Sequence, residues 1–281
     1  MKRWNFVILG VVGALAITLF IARRQSSSAK PVKDESASTA KVESQRAPVL
    51  VELFTSEGCS SCPPADEVLA RLEKEQPVAG AQIIVLSQHV DYWNNLGWAD
   101  PYSAAAFSER QGAYSDAFHE DGVYTPQMIV DGRAEFNGSH WDQALDEISK
   151  AAHAQKASIQ ISRAESNSKA DALQLNVRVE NPPAATVNDS AEVLLAITEG
   201  NLRSSVARGE NAGRNLSHTA VVRQLTVIGQ IEPQGEKTFT ATPVINLARD
   251  WKRENLHAVV FLQEHGTRRV LGAASIALAA Q

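Results

Sequence analysis

The chain has 281 residues, carries 27 Lys and Arg against 32 Asp and Glu for a net charge of −5, and is 44% apolar, the composition of a globular protein with length for about two domains. Residues 1–46 hold 8 basic and 3 acidic side chains, so residues 47–281 hold 19 and 29, a net of −10. A folded part that acidic excludes a phosphate-tracking nucleic-acid surface. Its two cysteines, Cys59 and Cys62, exclude both a scaffold of several disulfides and a four-cysteine zinc site.

Lys2-Arg3 precede a run of 17 mostly apolar residues, Phe6 to Ala22, which Arg23-Arg24 follow. This pattern predicts a targeting segment over residues 1–24, either a cleaved signal peptide or a membrane anchor built on residues 4–22. Both place the rest of the chain outside the cytoplasm, periplasmic or secreted, with contact to a membrane only through that segment. Residues 25–46 are rich in Ser, Ala, Lys and Glu, bury too little apolar surface to order themselves, and are expected to be a disordered linker.

From Pro48 the texture changes. Val49 to Thr55 is a nearly continuous apolar run that suits a strand covered on both faces. Gly58-Cys59-Ser60-Ser61-Cys62-Pro63-Pro64 comes next, then a helical stretch from Ala65 to Glu75 and a second strand-like run, Gln82 to Leu86. Together they predict a βαβ unit with the CxxC at its strand-to-helix turn. The positive end of the helix would stabilise a thiolate, with Cys59 the exposed nucleophile and Cys62 the partner that resolves a mixed disulfide. Pro63 and Pro64 weaken this by pushing Cys62 away from helical geometry. Three readings stay open at this point: redox chemistry, metal binding, and a disulfide that merely staples the loop, for which a four-residue ring yields only about 2 kcal/mol.

Tyr124 to Arg133 reads as a strand entered through Pro126 and left through an Asp131-Gly132 hairpin turn, and a helix from about His140 to His153 closes the first domain, residues 47–156. This half resembles the thioredoxin fold in its strand, CxxC, helix, strand and Thr125-Pro126 strand. The longer strings Glu52 to Asp66 and His89-Val90-Asp91-Tyr92-Trp93 resemble more closely a bacterial family of secreted proteins of unknown function assigned a thioredoxin-like fold. The resemblance implies that Cys59 and Cys62 form a redox-active disulfide. It also implies that Pro126 follows a cis bond, and that the Thr125 backbone pairs with an extended substrate. The buried acid of thioredoxins falls here on Leu53, and Glu52, one residue away, points to the opposite face.

An insert over residues 92–124 holds all four tyrosines and eight of the 17 aromatic residues. Within it Phe107, Tyr114 and Phe118 recur at helical spacing and are expected to pack inward. The stretch Tyr92-Trp93-Asn94-Asn95-Leu96-Gly97-Trp98 is not periodic and reads either as a substrate platform over Cys59, with Tyr92 and Trp93 as contacts, or as interface packing. His89 lies at the carboxyl end of the second strand. It is read as a hydrogen-bonded loop histidine, an acid/base helper, or, with Cys59 and Cys62, a third ligand for Cu(I).

Residues 157–281 carry short alternating runs, Leu173-Leu175-Val177-Val179 foremost, and predict an antiparallel β-sandwich as a second domain. The loop Arg208 to Asn215, followed by His218, reads as a solvated hairpin. The fold class expected is therefore an α/β thioredoxin-like domain followed by an all-β sandwich. The function expected is thiol–disulfide exchange on protein thiols and disulfides, with a separate redox partner to reset the pair and no cofactor. The alternatives are a copper carrier and a non-catalytic envelope interaction protein with a structural disulfide.

Overall fold

The computed structural model describes residues 46–164, 172–183 and 189–279, which lie within one compact unit. The targeting segment and nearly all of the linker fall outside them. The βαβ unit forms as its pattern requires. Strand β1 (Ala47–Thr55) leads through the CxxC turn into helix α1 (Pro63–Glu75), and β2 (Ala81–His89) returns parallel to β1 in unbroken register from Ala47↔Ala81 to Thr55↔His89. Helix α1 ends at Gln76 in the left-handed region (φ 46°), where the side-chain amide gives and takes a hydrogen bond with the Ile83 backbone of β2. Helix α2 (Ala105–Phe118), strands β3 (Gln127–Val130) and β4 (Ala134–Asn137) and helix α3 (Trp141–Ala152) follow.

The expected fold class is overturned in what comes next. An α/β thioredoxin-like domain followed by an independent sandwich would keep two sheets apart, and here strands from both halves of the chain join one mixed sheet of eight, so the first half is not a separate thioredoxin-like domain. The new strands are β5 (Ser158–Arg163), β6 (Ala172–Glu180), β7 (Ala191–Glu199), β8 (Leu202–Ser205), β9 (Asn215–His218), β10 (Val221–Ile231), β11 (Thr238–Ala241), β12 (Val244–Asn246), β13 (Leu256–Glu264) and β14 (Val270–Ala277). The large sheet runs β14-β13-β7-β10-β2-β1-β3-β4, parallel only where β2 meets β1 and β10. A smaller sheet of β11, β6 and β12, with β5 on β6, covers one end of it.

The physical reason lies in β7 and β13. Both are buried along nearly their whole length. Val193, Leu195 and Ile197 with Ala258, Val260 and Leu262 face the small sheet. The alternate residues Leu194, Ala196, Val259 and Phe261 pack with Leu50, Ile84 and Leu86 of β1 and β2. A sandwich strand with one solvated face would show alternation; these two strands feed two cores at once. On the opposite face of β1 and β2, Val49, Val51, Leu53, Ile83 and Val85 pack under α1 and α3.

Glu52 sits among apolar neighbours on the β1 face turned toward α2. Arg110 of α2 grips it with two charge-assisted bonds, Nε to Oε2 at 2.8 Å and Nη2 to Oε1 at 2.9 Å. The Tyr114 hydroxyl donates to the same carboxylate, Gln88 donates at 2.5 Å, and Arg110 reaches on to Gln263 Oε1 of β13 at 3.0 Å. Phe107 and Tyr114 are buried as their spacing predicts. At the β3–β4 turn Asp131 and Gly132 both have positive φ, and a Cβ on Gly132 would lie 1.9 Å from the Arg268 carbonyl oxygen, so only glycine fits.

Because Glu52 is 1% exposed, Arg110→Ala leaves an uncompensated buried charge and is expected to destabilise the fold by about 3–5 kcal/mol, read as a lower midpoint in urea unfolding of the variant beside the wild type.

Candidate functional site

Cys59 and Cys62 form a disulfide, Cα to Cα 5.5 Å, at the turn between β1 and α1. Cys62 occupies the N-cap position, and its carbonyl accepts the first helical bonds from Ala65 (2.8 Å) and Asp66 (3.1 Å). Pro63 and Pro64 fall in the first turn, where a missing N–H costs nothing. Cys62 keeps right-handed helical geometry at φ −77° and ψ −38°, so the expected push away from the helix does not occur. The expectation of an exposed Cys59 is also overturned. Both cysteines are 0% exposed, while Ser60 and Ser61 between them are exposed.

The cover comes from the second half of the chain. The loop Val206–Arg214 is closed at its base by Val206 N–H to Arg214 O and Gly213 N–H to Val206 O. At its tip the Asn211 side-chain amide donates to the carbonyls of both Glu57 and Cys59, each at 2.9 Å, and the Glu210 carboxylate accepts from Ser60 N–H at 3.0 Å. The Ser60 hydroxyl first, and its N–H second, hold the Glu210 carboxyl below its ordinary value. Gly209 comes so near Gly97 that a Cβ added to Gly97 would lie 3.2 Å from the Gly209 Cα. The stretch expected to be a solvated hairpin is thus a cap, and no periodicity announces it: its anchors are one amide and one carboxylate.

The other residues expected at the site divide. Trp93 packs its Cβ against Gly58 and donates from Nε1 to Thr125 Oγ1 at 2.8 Å, which draws Trp93, Thr125 and the turn together. The Thr125–Pro126 bond is cis. Tyr92 lies beside Trp93, ring centroids 6.5 Å apart, and its hydroxyl donates to Gln111 Oε1 of α2 at 3.1 Å. His89 is fully buried and donates from Nδ1 to Asp100 Oδ2 at 2.7 Å. Among the described residues no three His, Cys, Asp or Glu side chains converge where an ion would bind, so the Cys59, Cys62 and His89 set proposed for Cu(I) is not assembled.

Beneath the first turn of α1 lies a buried polar cluster that brings His89 together with His218 and with acids that no sequence spacing connects to them. Glu57 is its hub. It accepts Trp98 Nε1–H at 2.8 Å and His218 Nε2–H at 2.9 Å, and its own N–H donates to Asp100 Oδ2 at 2.8 Å. The rings of His89 and His218 meet edge to face at 4.9 Å, with Tyr102 at 5.6 Å from each. Burial pushes the Asp100 carboxyl up, but His89 and the N–H groups of Glu57 and Tyr102 outweigh it and hold that carboxyl below its ordinary value. For Asp66 burial wins: it pushes the carboxyl up to about 7 against the pull of His218 and the Thr55 hydroxyl, with Asp100 and Glu57 adding to the rise.

This chain belongs to the DUF1223 family of proteins of unknown function, whose pattern matches residues 50–263. An X-ray structure of an Agrobacterium tumefaciens protein is similar over 84% of this chain and 96% of its own, at 25% identity and a TM-score of 0.61. HBP35 of Porphyromonas gingivalis shares the fold over 83% of this chain and 76% of its own, at 13% identity and a TM-score of 0.59. No curated protein matches the sequence.

A carboxyl raised from 3.8 to about 7 favours the folded state while protonated, so its contribution is full below about pH 4 and lost as the pH rises through about 7. Asp66→Asn is expected to remove that fall, leaving a flatter curve of melting temperature against pH than the wild type over the same range.

Proposed function

We propose that the protein is an exported thiol–disulfide exchange protein acting through Cys59 and Cys62. The observation that carries this reading is the seat of the pair at the amino end of α1, above a cluster of buried titratable groups. Cys62 at the N-cap receives the field of the helix, which favours a thiolate leaving group. Asp66 and Asp100, whose carboxyls are displaced in opposite directions, lie in the same cluster, and such displaced groups concentrate at functional sites. Export places the pair where disulfides persist. The partners of this reading are protein thiols and disulfides, and a separate redox protein to reset the pair.

With both sulfurs covered, exchange requires the Val206–Arg214 loop to lift. Asn211 is its latch, and its two hydrogen bonds to Glu57 and Cys59 are together worth about 2 kcal/mol. Asn211→Ala is accordingly expected to speed reduction of the disulfide by dithiothreitol by about 10- to 30-fold, followed by alkylation and mass readout.

The complete burial of both sulfurs favours a second reading, a structural disulfide in a non-catalytic envelope protein. The reduction potential separates the two. Exchange predicts a value within about −270 to −120 mV and a Cys59→Ser variant without exchange activity, whereas a pair that resists reduction below about −300 mV is a staple.

A further inference from the structure

Where the β3–β4 and β13–β14 turns meet the last turns of α2, a groove of about 590 Å³ opens, a volume typical of small-molecule sites. It lies toward the amino end of β1, because the β3–β4 turn runs on past the Val51↔Val130 pair and Asp131 N–H donates to the Leu50 carbonyl at 2.8 Å. The disulfide follows the other end of that strand. The exchange reading makes no use of this groove.

Its lining is cationic in a molecule that is not. Residues 47–281 hold 19 basic and 29 acidic side chains, a net of −10, yet Arg133, Arg268 and Arg269 all line the groove, with Asp116 the one acid among the lining residues. Arg268 reaches Glu192, Nη1 to Oε2 at 4.0 Å, and Glu192 also meets His265 at 3.4 Å. Arg133 and Arg269 are exposed, and among the described residues neither guanidinium forms an ion pair. Asp131, two residues before Arg133, is held by Lys156 and by Leu50 N–H, and only its field reaches Arg133.

The two turns mount these arginines close together. A Cβ on Gly132, the residue before Arg133, would lie 3.2 Å from the Arg269 Cα. Val270 N–H donates to the Asp131 carbonyl at 2.8 Å, and the Arg268 carbonyl accepts from Gln263 Nε2 at 2.6 Å. The Asp189 carboxylate accepts from Gly266 and Thr267 N–H at 3.0 and 3.2 Å, which fixes the β13–β14 turn. Like charges held side by side with no carboxylate between them repel, and a bound anion replaces that repulsion with attraction to both. The remaining lining is apolar: Ala113 and Ala117 stand one turn apart on α2, and Phe118 follows, packed on the cluster of Phe54 and Tyr114.

We propose that this groove binds a small organic anion, with its oxyanion head in the forks of Arg133 and Arg269 and its apolar body on Ala113, Ala117 and Phe118. A guanidinium offers paired N–H groups that match a phosphate or a carboxylate. A bare inorganic ion would leave the apolar lining unused, and Asp116 disfavours a second negative group on the ligand. Such a head arrives either on a free molecule or on a phospholipid, and the chemistry that recognises it is the same.

The test titrates the full chain with phenyl phosphate in a calorimeter, beside inorganic phosphate and phenol at one ionic strength. Phenyl phosphate is expected to bind about 10-fold or more tighter than either fragment, since only it uses both halves of the groove. Arg133→Ala and Arg269→Ala are each expected to weaken it about 10-fold. Arg269→Lys keeps the charge but loses the fork and is expected to fall between wild type and Arg269→Ala, whereas Arg203→Ala, on β8, changes nothing. A second readout needs no variant to fold: in the wild type, saturating phenyl phosphate is expected to slow modification of Arg133 and Arg269 by phenylglyoxal, read by mass, and to leave Arg203 as reactive as before. Vesicles separate the two sources of the head. Retention on phosphatidylglycerol over phosphatidylcholine that disappears when both arginines are replaced assigns a lipid headgroup, and binding of phenyl phosphate without that preference assigns a free anion. Phenyl phosphate that binds no tighter than its fragments, an affinity unchanged in both alanine variants, or equal modification of Arg133 and Arg269 with and without the probe overturns the proposal.

Discussion

The ion pair between Glu52 and Arg110 is the constraint on which the two halves of the chain depend. A carboxylate in the middle of a buried strand is tolerable only if every lone pair is engaged, and four side chains from three other elements do this: Gln88 from β2, Arg110 and Tyr114 from α2, and Gln263 of β13 through its contacts with Arg110 and Tyr114. Helix α2 is thereby set between β1 and a strand more than 200 residues along the chain. The apolar cluster of Leu50, Leu86, Phe107, Leu194 and Phe261 closes around the same contact. The polar network thus specifies which strands share the core, and the apolar residues supply the bulk of the burial.

The same merging of halves builds the site. The β1–α1 turn provides the disulfide and the first turn of helix, but its cover and one of its two buried histidines arrive from the segment 206–218. Two of the three carboxyl groups beneath the turn, Glu57 and Asp66, are placed differently. Glu57 accepts from Trp98 and His218, whereas Asp66 has an oxygen without a partner.

Much of the local structure was legible in the residues. The apolar runs of β1 and β2, the helical spacing of Val68, Leu69 and Leu72, the Asp131-Gly132 turn and the inward spacing of Phe107 and Tyr114 all appear where their patterns put them. The unbroken apolar character of Val193 to Ile197 and Ala258 to Leu262 was a signal that these strands are covered on both faces, and it argued against a free-standing sandwich. The place of Asn211 and His218 left no such trace, because a single polar side chain that anchors a loop has no period and its partner lies more than 150 residues away.

By itself, then, the sequence determined which segments are strands and helices and that the two cysteines share one turn, since these follow from local periodicity and spacing. Only the tertiary structure decided that strands from both halves share the large sheet, that the disulfide is buried, and that Asp66 is buried within reach of His218, Asp100 and Glu57. Those outcomes depend on which buried polar groups find one another across the chain, and hydrogen-bond pairing at that range is a property of the packed molecule.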